Sequence, residues 1–287
     1  MKNNGTSSLT VKKQLRMLPG HLAVGLWCLF TVGMLAWIVA ASLSTSPEIM
    51  RGEALKFATG LHPENYVKAW TANNISVFFM NSLLYASCTM VGSLAISAPA
   101  AYVLGRYMFT GNKLVRNGFI TAMSLPQIMI ILPLFSLATR ANLTGSKFVL
   151  IIIYIGMQIP YTTTFLLSFF ASLSTVYEEA AAIDGCPPMK TFWKIMLPLA
   201  QPGIVTVGIF NFMNIWNEYF LSLIFASSEK NMSVGPGLKS VLTAMQYTGD
   251  WGGLFAAVVI VFLPTLVLFL CLSKTIISGI TAGGVKG

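Results

Sequence analysis

Of nine Asp and Glu residues, three, Glu178, Glu179 and Asp184, fall in one stretch, YEEAAAIDGCPPMKTFWKIMLPLAQPG, residues 177–203. Paired carboxylates can act as acid and base, but only beside a reactive partner, and the stretch offers none. The two histidines, His21 and His62, lie outside the apolar runs. The cysteines, Cys28, Cys88, Cys186 and Cys271, have no metal-ligand spacing. Three of them sit in apolar runs, where a thiol behaves as a small hydrophobe. The expectation is therefore no catalytic residue, no metal ligand and no enzyme. The segment Gly235-Pro236-Gly237-Leu238-Lys239-Ser240 loosely resembles a phosphate loop. Its spacing is wrong and it lacks a strand–helix setting, so it reads as an ordinary loop. The chemistry left to the acidic stretch is a charge contact with another protein.

A second group of polar residues lies in apolar surroundings, where polarity is costly and therefore informative. Glu218 is the only acidic residue in those runs, and Asn211, Asn214 and Asn217 precede it. On a continuous helix, Asn211, Asn214 and Glu218 share one face. Gln127 and Gln158 each sit next to a proline or one residue from it. These five could line a hydrogen-bonding path for a hydroxyl-rich solute, with Trp216 and Tyr219 supplying aromatic faces. They could equally be interhelical glue. Glue is the simpler reading for Gln127 and Gln158; for Glu218 the two readings balance.

The elements that must position these residues are membrane spans. Hydrophobic residues make up 55% of the 287, charged residues 9%, and mean hydropathy is +0.72. A soluble globule carries about a quarter charged residues. The net charge of +9 is spread over short gaps rather than a basic, aromatic-rich face, which argues against nucleic acid and for topology signals. Six runs reach the roughly 20 residues that a span needs: 21–43, 77–105, 117–139, 148–170, 203–226 and 254–273. The first is too long for a cleaved signal segment. With both termini cytoplasmic, eleven Lys and Arg face inward and seven outward. That orientation puts residues 171–202 inside and 227–253 outside. Pro99, Pro126, Pro133, Pro160 and Pro264 interrupt the inner runs. Together they suit a bundle that moves around a pathway.

The acidic stretch reads as a helix, a glycine turn and a second helix. Glu178 and Glu179 lie near the first helix's start, where its dipole favours negative charge. Gly185 follows at a C-cap position open to positive φ. Pro187 and Pro188 suit the next first turn. Met189, Phe192, Trp193 and Met196 then form one apolar stripe, Pro198 stops the helix, and Pro202 precedes the fifth span. Ala180, Ala181 and Ala182 would let a partner surface approach closely. An interfacial membrane hairpin is the rival, but an anionic leaflet would repel its acids.

The spacing Glu179-Ala180-Ala181, Gly185, Ile195, Leu197-Pro198 resembles the EAA signature of ABC importer permeases at all seven positions. Asn81-Ser82-Leu83, Trp216-Asn217-Glu218 and the C-terminal run 279–287 resemble the MalG-type permeases of binding-protein-dependent carbohydrate importers. The resemblance implies an all-α integral membrane protein of the MetI-like type I importer fold with six transmembrane helices. Its parts would be a tail over 1–20, a first helix and loop over 21–76, a permease core over 77–273 with the coupling loop at 171–202, and a tail over 274–287. It implies that Glu178, Glu179, Ala180, Ala181, Asp184, Gly185, Ile195, Leu197 and Pro198 couple the chain to an ATPase, with Glu179 the main charge contact. ATP and Mg would reside on that partner, and this chain would hold no cofactor. The expected partners are a second permease forming a heterodimer, two cytoplasmic ATPase subunits and an extracellular solute-binding protein, in a bacterial inner membrane. Gln246, Tyr247 and Trp251 in the last outer loop would touch the binding protein, although loop packing explains them as well. The rival function is a free-standing secondary carrier or channel for a polar solute, which would need an ion site of its own and leaves the hairpin unexplained.

Overall fold

The computed structural model describes the backbone of residues 5–284 and the side chains of 17–245 and 247–273. Among these, every regular element is helical. The chain divides into two compact units, one from the N-terminus to Ala72 with Ala244–Ile260, the other Asn73–Thr243 with the chain from Val261 onward.

The first unit holds α1 (Gly5–Ser42), α2 (Ser46–Met50), α3 (Glu64–Thr71) and the opening turns of a long helix from Trp251. From Met17 to Ser42, α1 is apolar and exposed along most of its length, as a lipid-facing helix is. The following loop has its own small core, in which Ala41, Ile49 and Ala54 pack with Trp251 and Phe255. Its organiser is Glu48, 5% exposed. One carboxylate oxygen accepts from the Thr45 amide (2.9 Å) and hydroxyl (2.8 Å), the other from the Thr59 amide and hydroxyl (both 2.9 Å). These donors favour the ionised form and lower the Glu48 pKa from the ordinary 4.5 to about 2, with the Thr45 amide the largest cause. Lys68 pairs with Asp250 at 3.0 Å.

The second unit is built on α4 (Ile75–Arg106), α5 (Asn112–Met123), α6 (Gln127–Arg140), α7 (Lys147–Ser172), α8 (Val176–Ile183), α9 (Pro188–Thr191), a π turn (Phe192–Met196), α10 (Leu197–Leu199), α11 (Gln201–Trp216) and α12 (Phe220–Phe225). α13 (Val234–Thr248) and α14 (Trp251–Gly284) complete the chain. The central packing is α4 against α7, with α11 laid on both. Asn211, fully buried, joins all three, because its Nδ2 donates to Ser93 Oγ and Thr162 Oγ1, each at 2.9 Å.

Among the described residues, four helices are long and apolar enough to span, Met17–Ser42, Ile75–Arg106, Lys147–Ser172 and Trp251–Ser273, and up to six result if two bent pairs each count as one. The expected third span is one such pair, bent by 95° between α5 and α6. Pro126 lies at the break, where proline disfavours helix in the residue before it. Pro99, Pro133, Pro160 and Pro264 instead sit inside helices that continue past them. The expected fifth span is corrected more strongly. It is helical only to Trp216, breaks at Asn217–Tyr219 and resumes as the short α12. The segment 227–253, expected as an outer loop, is also not a loop throughout, since α13 fills much of it. The glycine-rich segment read as loop lies in α13, and a Cβ on Gly237 would run into the Phe78 ring.

Candidate functional site

Two places gather the residues singled out by sequence. The first is the hairpin after α7. α8 closes with the Cys186 amide donating to Ala181 O (2.8 Å) and the Gly185 amide to Ala182 O (3.0 Å), while Gly185 takes φ 72°. This paired closure satisfies the last carbonyls and needs a left-handed residue, which is why the turn falls at glycine. The expected helix, turn and capping glycine are all present.

The two glutamates have different roles. Glu178 Oε2 accepts from Arg106 Nη2 at 3.0 Å, and the same Nη2 donates to Ser174 O at 3.1 Å. The Arg106 side chain is 8% exposed and that of Glu178 22%, so this pair ties the hairpin to the end of α4. Glu178 therefore points inward, whereas Glu179 is exposed. Ala180, Asp184, Gly185 and Pro198 are exposed as well. Ala181 is a correction: at 3% exposure it packs inside and cannot receive a partner. Ile195 and Leu197 are likewise partly buried against the cluster of Tyr102, Phe170, Phe192 and Met196.

The apolar stripe is also divided. Phe192 and Met196 are buried, while Met189 and Trp193 stand 70% and 55% exposed. The neighbouring helices cover only one edge of it. At the π turn the Leu197 amide reaches back to Phe192 O. Pro198 does not end the helical path; the chain runs on through α10 and bends by 73° into α11. Ile183, 86% exposed, was missed by the sequence reading. An isoleucine two residues before a capping glycine was its only signal.

The second place is a cavity of about 880 Å³ between α5, α6, α7 and α11. It unites three of the five pathway residues, Gln127, Gln158 and Asn214, with Tyr161 and Phe210. Asn211 is not there, because its amide is used between helices. Glu218 is a further correction. It leaves the helical face of Asn214 and sits in the break, where its carboxylate accepts from the Leu221 amide (2.7 Å), the Ser222 amide (3.1 Å) and the Tyr154 hydroxyl (2.6 Å). It caps α12. Trp216 Nε1 donates to Val261 O at 3.2 Å and its ring stacks on Phe212.

Asn81 and Ser82 hold the segment before α13. Asn81 Nδ2 donates to Lys230 O (3.0 Å) and Met232 O (2.9 Å), its Oδ1 accepts from Lys147 Nζ (2.6 Å), and the Val234 amide donates to Ser82 Oγ (2.8 Å). Of the residues expected against a binding protein, Tyr247 is 88% exposed. Trp251 packs into the first unit's small core, and its amide donates to Ser46 Oγ at 3.0 Å. The side chains of Gln246 and of the C-terminal run 279–287 lie outside the described residues.

A helical bundle with broken spans, an exposed hairpin closed by a glycine turn and a cavity among its helices defines a membrane permease. The chain belongs to the family described as binding-protein-dependent transport system inner membrane component, whose match covers residues 97–279. It is a multi-pass membrane subunit of an ABC transport system, and that membership displaces the free-standing carrier. It is 30% identical over 263 residues to the diacetylchitobiose uptake system permease protein NgcG of Streptomyces coelicolor, covering 92% of this chain and 87% of that one. The probable ABC transporter permease protein YurM of Bacillus subtilis is 35% identical over 258 residues, 88% and 83% of the two chains. The trehalose/maltose permease protein MalG of Thermococcus litoralis is 28% identical over 279 residues, 96% and 98%. The same fold occurs in a bacterial ABC transporter involved in import of the acidic polysaccharide alginate, with TM-score 0.78 at 20% identity over 92% of this chain and 97% of that one.

Proposed function

We propose that this chain is the translocating subunit of an ATP-driven importer for a sugar delivered by an extracellular solute-binding protein. In this reading both termini and the hairpin face the cytoplasm of a bacterial cell, and a homologous permease completes a heterodimer. Two ATPase subunits bind the ATP and Mg and dock on the hairpin. Relatives whose names specify diacetylchitobiose, trehalose and maltose support sugar as the cargo class.

The observation that carries the proposal is the division of labour between Glu178 and Glu179. Arg106 fixes the base of the hairpin to α4, while Glu179, Ile183 and Met189 remain exposed. A knob held this way passes rigid-body motion of an ATPase into the helix bundle. Cysteine placed at Ile183 should cross-link to the ATPase subunit of the assembled importer. A complex that imports solute while no position from 178 to 190 ever cross-links to that subunit would overturn the coupling role.

A further inference from the structure

The motif Asn81-Ser82-Leu83 lies in neither the hairpin nor the cavity lining. Its polar members grip the non-helical stretch between α12 and α13. Asn81 is 4% exposed, and its Nδ2 donates to two carbonyls two residues apart, those of Lys230 and Met232. The carbonyl between them, of Asn231, accepts from the Tyr85 hydroxyl at 2.7 Å. Side chains of one helix thus hold three successive carbonyls. Ser82 Oγ accepts from the amide of Val234, the first residue of α13. An irregular segment cannot satisfy its own backbone, and leaving it buried and unpaired is costly; here α4 supplies the partners. Gly237 of α13 lies so close to Phe78 of α4 that a Cβ would overlap the ring. Hydrogen bonds and close contact together make α4 the element that places the start of α13.

The opposite end of the same helix holds the hairpin. Arg106, the last residue of α4, donates to Glu178 Oε2 and Ser174 O. One turn earlier the Tyr102 ring packs on Phe192 of the π turn, with centroids 5.0 Å apart. At 1.5 Å per residue, about 38 Å of helix separates Asn81 from Arg106. Between them α4 is continuous and packs on α7. Pro99 removes one helical hydrogen bond without ending the helix. Close-packed helices shift as bodies rather than deform continuously. A displacement of the start of α13 is therefore passed to the hairpin.

We propose that α4 is a strut that carries the docking of the binding protein from the outer face to the ATPase hairpin, with Asn81 as the positioning residue that fastens its outer end to α13. The strut rests on the importer reading and adds to it the element by which docking outside reaches ATP hydrolysis inside. α13 keeps Lys239, Leu242 and Thr243 exposed, at the i, i+3 and i+4 spacing of one helix face. Its other face, with Pro236, Gly237 and Val241, is buried.

The test uses the complete importer in proteoliposomes. Uptake of maltose, trehalose and diacetylchitobiose is measured first. ATP hydrolysis is then followed with and without the binding protein, loaded with the best imported of these sugars. Tyr85→Phe keeps the ring and removes one hydrogen bond to the 230–232 stretch. It should lower the stimulated rate by up to about fivefold, the factor of one neutral hydrogen bond. Unstimulated hydrolysis should stay at the parental level, and the half-saturating concentration of binding protein should hardly change. Asn81→Leu should lower the stimulated rate further. Tyr85→Phe added to Arg106→Met should lower stimulation no more than Arg106→Met alone, since either break disconnects the strut. The two melting-temperature shifts should add, because the sites lie well beyond the roughly 10 Å within which substitutions couple. Unchanged stimulation in Tyr85→Phe overturns the strut, as does parallel loss of stimulated and unstimulated hydrolysis, or a further loss of stimulation in the double variant. A parental complex that imports none of the sugars sinks the importer reading and the strut with it; a stimulated parental complex with unaffected variants sinks the strut alone.

Discussion

The hairpin at 176–200 and the break at 217–219 look alike in sequence. Each interrupts an apolar run with carboxylate beside small or amide residues. In the hairpin one carboxylate, Glu178, is held by Arg106 and its neighbour Glu179 is left outward. In the break the single carboxylate is wholly engaged, by two amides of α12 and the Tyr154 hydroxyl. A rare acid in an apolar chain is therefore not in itself a sign of a transport path. Its role follows from the number of donors that face it, and only the carboxylate with none facing it is free for a partner.

The largest effect should come from the break. Glu218→Leu uncaps α12 and orphans the buried Tyr154 hydroxyl, a loss of about 3 kcal/mol, seen as a lower melting temperature and poorer yield of the extracted complex. Glu218→Gln keeps an acceptor and should lose less. Equal damage from both would mean that the charge, not the cap, matters. Arg106→Met comes next. Removing one partner of a well-buried pair costs 3–5 kcal/mol, and the partial exposure of Glu178 brings this to about 2. Transport should fall further than stability, because the hairpin loses its tie to α4; a proportional fall in the two would remove the tie from the mechanism.

Gly185→Val forces a β-branched residue to φ 72°, which costs about 1–2 kcal/mol. The protein should still insert, and ATPase assembly and uptake should drop; normal uptake would refute the turn's importance. Glu48 extends the comparison to a third carboxylate, engaged like Glu218. Its pKa is lowered, so its contribution is complete above pH 4.5 and fades as pH falls toward about 2. Pepsin should cut 45–59 faster as pH drops through that window, and Glu48→Gln should abolish the pH dependence. The smallest stability effect belongs to Glu179→Ala, within about 0.5 kcal/mol for an exposed site. Its loss should appear in ATP hydrolysis coupled to solute. A large fall in melting temperature would show that the exposed glutamate has a structural partner after all.

Much of this was legible from the chain alone. Helix, glycine turn and second helix follow from local rules: acids at an N-terminus, an αL-tolerant residue at a C-terminus and prolines at a first turn. The pairing of Arg106 with Glu178 was not, because the two residues are far apart in sequence and meet only when α4 and α8 pack. The pathway residues divide in the same way. Asn211 and Asn214 differ by three positions, yet one donates its Nδ2 to Ser93 and Thr162 between the helices and the other lines the cavity. Trp251 could be read from sequence as a binding-protein contact or as loop packing, and it packs against the first unit's small core.

The sequence by itself determined the solvent, the family and the place of the hairpin turn, since hydropathy, motif spacing and glycine's backbone freedom are properties of the local chain. Only the tertiary structure decided which carboxylate is bound and which is free, which edge of the 189–196 stripe is covered, and which amides face a cavity. The reason is physical: a polar group's remaining capacity depends on the donors and acceptors that distant helices bring to it, and local periodicity carries no information about those helices.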